Sequence, residues 1–199
     1  MRTSQCVYSA GVMMPKWKSW LSRKVPVYRS TKNGLSLIFP PADLPGASPQ
    51  AHELLAEASA AFLFRDFERS AARFKDGLVI VRQLDHKRAE LRILYDLGVV
   101  YDAMEESDLA IAKFGQASKL AHEIRDEFAI ESRLLARDAE RVAKTSGPSK
   151  IIGVPEYEWE LEMMCLRALV AVMKGAGRSR EAEGFIVKLQ GLLRESRHV

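Results

Sequence analysis

"LYDLGVVYDAMEESDLAIAKFGQA", residues 94–117, decides the fold of this 199-residue chain. Apolar residues recur at three- and four-residue spacing on both sides of a short polar break, a pattern typical of two amphipathic helices joined by a turn. Gly98 and Ala117 are small enough to let two helices approach closely, and Tyr101 and Phe114 can fill the space that the small residues leave. The stretch therefore predicts a closely packed helical hairpin.

A weaker copy of this pattern lies forty residues earlier. In "LLAEASAAFLFRDFERSAARFKDG", residues 54–77, Ala58 replaces Gly98 and Ser70 replaces Ala110. The residues that we expect to pack the two repeats are Leu94, Leu97, Gly98, Tyr101, Ala110, Phe114, Ala117, Ala58, Phe74 and Gly77. The repetition indicates stacked hairpins.

The order of these residues, Leu-Gly followed by Tyr and then by Ala and Phe on the next helix, resembles the tetratricopeptide repeat (TPR) family. The forty-residue period is similar to that of its long-repeat, kinesin-light-chain-like members. HEAT repeats have a period near forty but lack this grouping. The chain departs from the family at Leu94, where tryptophan is usual, and at His122, where a proline ends the unit. The resemblance covers residues 50–125 well and 156–196 loosely, and it implies an all-α, right-handed superhelix of TPR-like helical hairpins.

Periodicity and turn residues divide the chain into two regions. Residues 1–47 form an extended, basic, proline-rich N-terminal arm that is acid-free up to Asp43, and residues 48–199 form a TPR-like α-solenoid that begins at the helix cap Ser48. About seven helices are predicted, at 49–64, 67–84, 87–104, 107–124, 127–144, 156–174 and 179–196. Within the arm, Asn33-Gly34 between β-favouring residues predicts a hairpin turn, which is stable only against another surface.

Charge is segregated between these regions. The chain has a net charge of +4, but residues 1–42 contain seven Lys/Arg and no acid. The remaining residues carry 23 basic and 26 acidic side chains, so a uniformly basic nucleic-acid binder is disfavoured. Glutamates at 156, 158, 160 and 162 predict an acidic spot at the start of one helix.

The arm has two interpretations. Its basic, Ser/Thr-rich composition is typical of an organellar transit peptide, which favours a mitochondrial location over a plastid or cytoplasmic one. Alternatively the arm is retained and threads into a larger assembly, with tryptophans as anchors and basic groups meeting acidic protein, a membrane surface or RNA. The arm residues predicted to bind partners are Lys16, Trp17, Lys18, Trp20, Arg23, Lys24 and Arg29.

The TPR resemblance also implies a concave groove lined by the first helix of each hairpin. Its predicted lining is His52, Leu55, Phe62, Arg92, Tyr95 and Asp102, with Ser59 and Val99 nearby. Only Arg92 suits a clamp for a chaperone's terminal carboxylate, so that role is disfavoured. The mixed lining favours a helix or extended segment of a protein partner. The chain's own arm or last helix is the alternative occupant.

No catalytic motif and no metal-ligand spacing of the four histidines is present, so we expect no enzyme activity, no cofactor, no metal and no small-molecule substrate. Cys6 and Cys165 have no spacing that indicates a disulfide framework or a metal site. The expected function is a scaffold or accessory subunit that mediates protein–protein contacts within a large, mitochondrial complex. The alternatives are a soluble TPR adaptor that binds a partner's peptide segment transiently and an organellar RNA-binding or ribosome-associated factor.

Overall fold

The structure, a computed structural model, describes residues 31–38, 48–146 and 156–195. Those ranges contain six α-helices and no strand. The helices are α1 (Pro49–Leu63), α2 (Phe67–Gln83), α3 (Lys87–Ala103), α4 (Ser107–Ser146), α5 (Glu156–Gly175) and α6 (Ser179–Glu195). Ser48 caps α1 as predicted, because its hydroxyl accepts a hydrogen bond from the N–H of Ala51 at 3.2 Å. The all-α prediction is confirmed for the described residues.

Four of the helix reversals share one turn geometry. Arg65, Asp85, Glu105 and Gly177 each adopt a positive φ, of 64°, 50°, 64° and 76°. In each turn the N–H of this residue and the N–H of the next one donate to carbonyl oxygens of the preceding helix at 2.8–3.2 Å. That left-handed residue ends the helix and satisfies carbonyls that the helix end leaves without partners. The first three turns are twenty residues apart, which is half of the forty-residue repeat.

The residues predicted to pack the repeat are buried. All ten belong to the interior, and Phe74, Phe114, Leu97 and Ala58 are fully inaccessible. A Cβ atom at Gly98 would lie 2.7–2.8 Å from three ring carbons of Phe114, so the close approach of α3 and α4 requires glycine there. In the weaker copy the buried Ser70 hydroxyl donates to the carbonyl oxygen of Ala58 at 2.8 Å, which gives this polar group a partner.

The predicted break between 107–124 and 127–144 is wrong, because α4 runs without interruption from Ser107 to Ser146. The dipeptide Arg-Asp ends a helix at Arg65 but remains helical at Arg125. Tertiary contacts account for the difference. Arg125 forms an ion pair with Glu162 of α5, which packs along α4 and covers it without a chain reversal. The described residues therefore contain six helices in place of the predicted seven.

The helices stack in sequence order, because each one packs mainly against the helices before and after it. A continuous apolar core joins them from Ala51 of α1 to Ala182 of α6. No helix in the described ranges is both long enough and apolar enough to cross a membrane. This arrangement leaves one face of α3 and the C-terminal end of α5 available to a non-helical segment, residues 31–38.

Candidate polypeptide-binding site

The segment 31–38, called here the docked segment, folds into a tight turn. The N–H of Gly34 donates to the carbonyl oxygen of Thr31 at 2.9 Å, and the N–H of Thr31 donates to the carbonyl oxygen of Leu35 at 2.9 Å. Gly34 has a φ of 76°, a left-handed conformation that glycine adopts without steric cost. The turn predicted from Asn33-Gly34 is confirmed, although no strand extends from it within residues 31–38. As expected for so short a turn, it lies against another surface.

The side-chain amide of Asn33, at the tip of the turn, lies between two groups of the helical body, the Asp102 carboxyl group and the backbone at Gly175. Its Nδ2 donates a hydrogen bond to Oδ1 of Asp102 on α3 at 2.6 Å. Its Oδ1 lies over Gly175 at the end of α5, where a Cβ atom would collide with it. Asp102 is fully buried, and its Oδ2 accepts no hydrogen bond from any described residue. The Asn33 amide is therefore the polar group that compensates burial of this carboxyl group.

A second buried carboxyl group binds the other end of the docked segment. Oδ1 of Asp96 on α3 accepts a hydrogen bond from the backbone N–H of Ile38 at 2.8 Å. Burial raises the pKa of Asp96 to about 7 from its ordinary value of 3.8, while the Ile38 N–H and the nearby charge of Arg92 oppose the rise. Asp96 therefore binds one end of the segment through a backbone N–H, which any residue except proline has, and Asp102 binds the other end through the side-chain amide of Asn33.

Between these polar contacts, the docked segment contributes an apolar side chain to the protein core. Leu37 is only 7% exposed and belongs to the same apolar cluster as the helices, and Leu35 and Ile38 pack against that cluster. Burial of a leucine side chain stabilises an arrangement by about 2 kcal/mol. We name the surface made by Asp96, Asp102 and Gly175 the docking face. It combines an apolar site with two acidic acceptors and suits an extended, non-acidic polypeptide.

One of the predicted groove residues, Asp102, lies at the docking face and contacts the docked segment directly. Arg92 is close enough to Asp96 for its charge to lower the pKa of that carboxyl group. Of the two occupants considered for the groove, part of the chain's own arm is the one that contacts Asp102. Arg92 therefore acts on the docking face through the charge of its guanidinium group.

The other predicted groove residues lie elsewhere. Leu55, Phe62 and Tyr95 are buried within the interhelical core, and burial raises the pKa of the Tyr95 hydroxyl. His52 is half-buried on α1, with its Nδ1 3.2 Å from the carbonyl oxygen of Ser48. Leu55, Phe62 and Tyr95 belong to the same apolar cluster as Leu37 of the docked segment. Leu55, Phe62 and Tyr95 therefore pack helices against one another, and His52 lies at the first turn of α1.

The predicted partner-binding residues of the arm lie outside the described residues. They are Lys16, Trp17, Lys18, Trp20, Arg23, Lys24 and Arg29. Their partner-binding role remains a prediction.

A buried ionic cluster joins the last three helices. Glu162 on α5 is fully buried, with Lys188 Nζ on α6 at 3.1 Å and Arg125 Nη1 on α4 at 3.2 Å. Both contacts are ion pairs. His122 Nδ1 lies 3.0 Å from Arg125 Nη2 and accepts a hydrogen bond from it in the tautomer that carries the proton on Nε2, because a guanidinium group can only donate. Glu162 is therefore a structural anchor rather than part of the predicted acidic surface spot, whereas Glu160 is exposed.

Metal-ligating groups and the buried thiol are the next features of the described residues. Within them, no group of three or more His, Cys, Asp or Glu side chains is arranged to hold a metal ion. Cys165 is buried, and burial raises the pKa of its thiol to about 12, which suppresses the reactive thiolate. Cys165 therefore serves as an apolar core residue.

The long helix α4 presents a second, more exposed surface. Ile130 and Leu134 follow each other at a spacing of four residues, and each is more than half exposed. A shallow depression of about 520 Å³ lies on the preceding turns of α4, between the α2–α3 turn at Leu84 and the α4 residues Ile124 and Phe128. Two neighbouring apolar side chains on one helical face are the kind of feature that protein partners cover.

Sequence reasoning identified Asp102 but missed its partners in the docking face. The missed residues are Asp96, Asn33, Leu37 and Gly175. Asp96 had a usable signal, because it interrupts the otherwise apolar stretch from Leu94 to Val100 and a buried carboxyl group needs a donor. Asn33 was recognised only as a turn residue. Nothing in the sequence pairs it with Asp102, 69 positions later.

In the described residues, the fold and the docking face define a stack of α-helices that holds a non-helical segment of the same chain, residues 31–38. Comparison with protein-family models, with curated proteins and with solved structures finds no significant match to this chain.

Proposed function

We propose that this chain is a non-catalytic, TPR-like scaffold subunit of a larger mitochondrial assembly, and that it contacts other proteins through its N-terminal arm and its helical body. The observation that carries the proposal is the docked segment. Two buried carboxyl groups and an apolar site hold residues 31–38 against α3 and α5. A body that holds residues 31–38 in this way keeps the remaining, basic and tryptophan-containing part of the arm attached to the helical domain.

The docked segment favours a retained arm over a transit peptide that is cleaved close to the helical domain. Cleavage after Ile38 removes Leu37 from the core and leaves Asp96 and Asp102 without the donors that they have in the structure. The cost of leaving each buried acceptor without a partner is about 1–3 kcal/mol. Cleavage before Thr31 removes none of these contacts. We therefore expect N-terminal sequencing of the mature protein to begin before Thr31, and a start after Ile38 contradicts the proposal.

The helical body supplies a further surface for an assembly. Ile130 and Leu134 lie on α4, away from the docking face in sequence and exposed to solvent. An apolar pair of this size contributes about 2–4 kcal/mol when a partner covers it. The proposal assigns this pair and the arm to contacts with other subunits.

Affinity purification of the tagged full-length chain from its own cells at moderate salt tests the proposal. We expect a stable set of co-purifying proteins that the double change Trp17→Ala/Trp20→Ala or the double change Ile130→Asp/Leu134→Asp reduces at least tenfold. Glu160→Ala serves as the matched control, since Glu160 is an exposed helical residue outside both surfaces. Recovery of the free monomer alone contradicts a scaffold role.

The same purification distinguishes the scaffold from the two alternative functions, a transient peptide-binding adaptor and an RNA-binding or ribosome-associated factor. If the docking face captures partner peptides as an adaptor, removal of residues 1–38 frees the face and increases the amount of bound protein. If the arm binds RNA, capture disappears on nuclease treatment and weakens steeply with added salt. Either result contradicts the scaffold proposal.

A further inference from the structure

We propose that Asn33 is a modification site, and that deamidation of its side chain releases residues 31–38 from the docking face. Three features of the described residues carry this inference. They are the Asn-Gly sequence, the use of the Asn33 amide as a donor to a buried carboxyl group, and the hydrogen bond that restrains the Gly34 nitrogen while the segment is docked. The inference concerns the docked segment alone and holds whether or not the arm binds other subunits.

The reaction needs only water. The backbone nitrogen of Gly34 attacks Cγ of Asn33, a C–N bond forms, and Nδ2 leaves as ammonia with the proton that the Gly34 nitrogen gives up. Water then adds to one of the two carbonyl carbons of the cyclic imide and breaks one C–N bond. The products are an aspartate or an isoaspartate at position 33. Glycine favours this cyclisation because it has no side chain to obstruct attack by its nitrogen.

Docking restrains the reacting groups. The Gly34 N–H donates to the carbonyl oxygen of Thr31 at 2.9 Å, which holds the nucleophilic nitrogen in the turn. The Asn33 amide is held between Asp102 and the backbone at Gly175. The contact with Asp102 is lost when the segment leaves the docking face, and the hydrogen bond between Gly34 and Thr31, which lies within the segment, then loses the support of the helical body. Deamidation should therefore be slow in the docked state and faster in the released state.

The product cannot restore the original contacts. Deamidation replaces the Nδ2 donor with an oxygen, at a position 2.6 Å from Oδ1 of Asp102. Asp102 is fully buried and has no other hydrogen-bond partner among the described residues at its Oδ2. Two adjacent carboxylates repel each other, and a buried acceptor without a donor is costly. Modification of Asn33 therefore shifts the segment towards the released state, and the covalent change keeps it there.

A four-variant comparison of the full chain tests the effect on docking. The variants are wild type, Asn33→Asp, Asp102→Asn and the double change Asn33→Asp/Asp102→Asn. The measurements are trypsin cleavage after the exposed Lys32 in mildly alkaline buffer and hydrogen exchange of the Ile38 amide. Loss of a hydrogen bond to a charged group corresponds to about tenfold faster cleavage and exchange in Asn33→Asp.

The double change reverses the pair, because the carboxamide that Asp102→Asn introduces can donate to a carboxylate at position 33. We expect it to return both rates to within about threefold of wild type, while Asp102→Asn alone remains close to wild type. The double change also separates release from misfolding, since its helical content should equal that of wild type. If Asn33→Asp is as well protected as wild type, or if the double change protects no better than Asn33→Asp alone, the proposal is wrong.

A second measurement tests the reaction itself. Wild type and Leu37→Ala are incubated in mildly alkaline buffer, and peptides that contain Asn33 are analysed by mass spectrometry. We expect aspartate and isoaspartate at position 33, forming at least about fivefold faster in Leu37→Ala, because that change weakens docking without altering the reacting residues. A free peptide with the sequence of residues 29–38 gives the unrestrained rate. Equal rates in all three samples, or an unmodified Asn33 in Leu37→Ala after the free peptide has reacted, contradict the proposal.

Discussion

Replacement of Gly98 by alanine should destabilise the protein, although alanine is the better helix former. The added Cβ lies 2.7–2.8 Å from three ring carbons of Phe114. Ordinary carbon–carbon contacts lie at about 3.5–4.0 Å, so the ring must move by roughly 0.7 Å or more. The Phe114 side chain is fully buried, and Tyr95 stands edge-on to it with ring centroids 5.2 Å apart. The ring therefore cannot move without displacing its neighbours.

The expected magnitude follows from two opposing contributions. Overpacking of a core by one methyl group costs about 1–3 kcal/mol. Alanine in place of glycine inside a helix recovers about 1 kcal/mol. We expect Gly98→Ala to lower the free energy of unfolding by about 1 kcal/mol. For a chain of this size that corresponds to a decrease in Tm of about 2–4 °C.

Gly184→Ala is the matched control. Gly184 also lies inside a helix, α6, but a Cβ there has no neighbour within 4 Å. Only the propensity gain remains, so this change should raise the free energy of unfolding by about 0.5–1 kcal/mol. Urea unfolding followed by far-UV circular dichroism measures both variants. Equal stabilisation by the two changes would falsify the close approach of α3 and α4 at Gly98.

Three further predictions use other parts of the structure. Glu105→Gly should raise the free energy of unfolding by about 1 kcal/mol, because glycine adopts the positive φ of 64° at this position without steric strain. Glu123→Gly, inside α4, should lower the free energy of unfolding by a similar amount, because glycine is a poor helix former. Thermal unfolding measures both variants. Glu162→Ala should cost about 1–3 kcal/mol in urea unfolding, because it removes the buried carboxylate that pairs with the largely buried Arg125 and the partly exposed Lys188, and Glu160→Ala should be neutral. The free energy of unfolding should fall as the pH rises from about 4 to about 7. The pKa of Asp96 is about 7 in the folded chain and is ordinarily 3.8, so the folded state retains a proton that the unfolded state gives up. Urea unfolding across this pH range should therefore show a larger loss of stability in wild type than in Asp96→Asn, and an identical pH profile in both proteins contradicts this assignment.

The helical hairpins could be predicted from sequence because their signals are local. Gly98 and Phe114 are sixteen residues apart, and periodicity alone places them on facing helices. The short reversals were also predictable in position, although the left-handed residues Arg65, Asp85 and Glu105 carry no glycine to reveal their geometry. The break at Arg125 failed for a different reason. The same dipeptide can turn or remain helical, and contacts with α5 decide the outcome.

The docking face was predictable only in part, because its contacts join distant residues. The sequence indicated a turn at Asn33 and a groove that included Asp102, but it offered no reason to bring them together. Asp96 was the informative position, since a carboxyl group within an apolar helical stretch requires a donor from outside that helix. The sequence pattern indicates the need for a donor but does not identify it.

The end of the arm lies at one residue when judged by sequence composition and at an earlier residue when judged by contacts in the structure. Composition and periodicity place the change from basic arm to helical body at residue 47, after the acid-free region has ended and just before helical periodicity begins. The hydrogen bonds and the burial of Leu37 place residues 31–38 with the body.

A truncation at residue 30 should leave the stability of the body within about 0.5 kcal/mol of the full chain, since it removes none of these contacts. A truncation at residue 47 should cost several kcal/mol, because it exposes the Leu37 site and leaves Asp96 and Asp102 without donors. Urea unfolding of the two truncated proteins measures the difference, and equal stability would show that the docked segment contributes nothing to the fold.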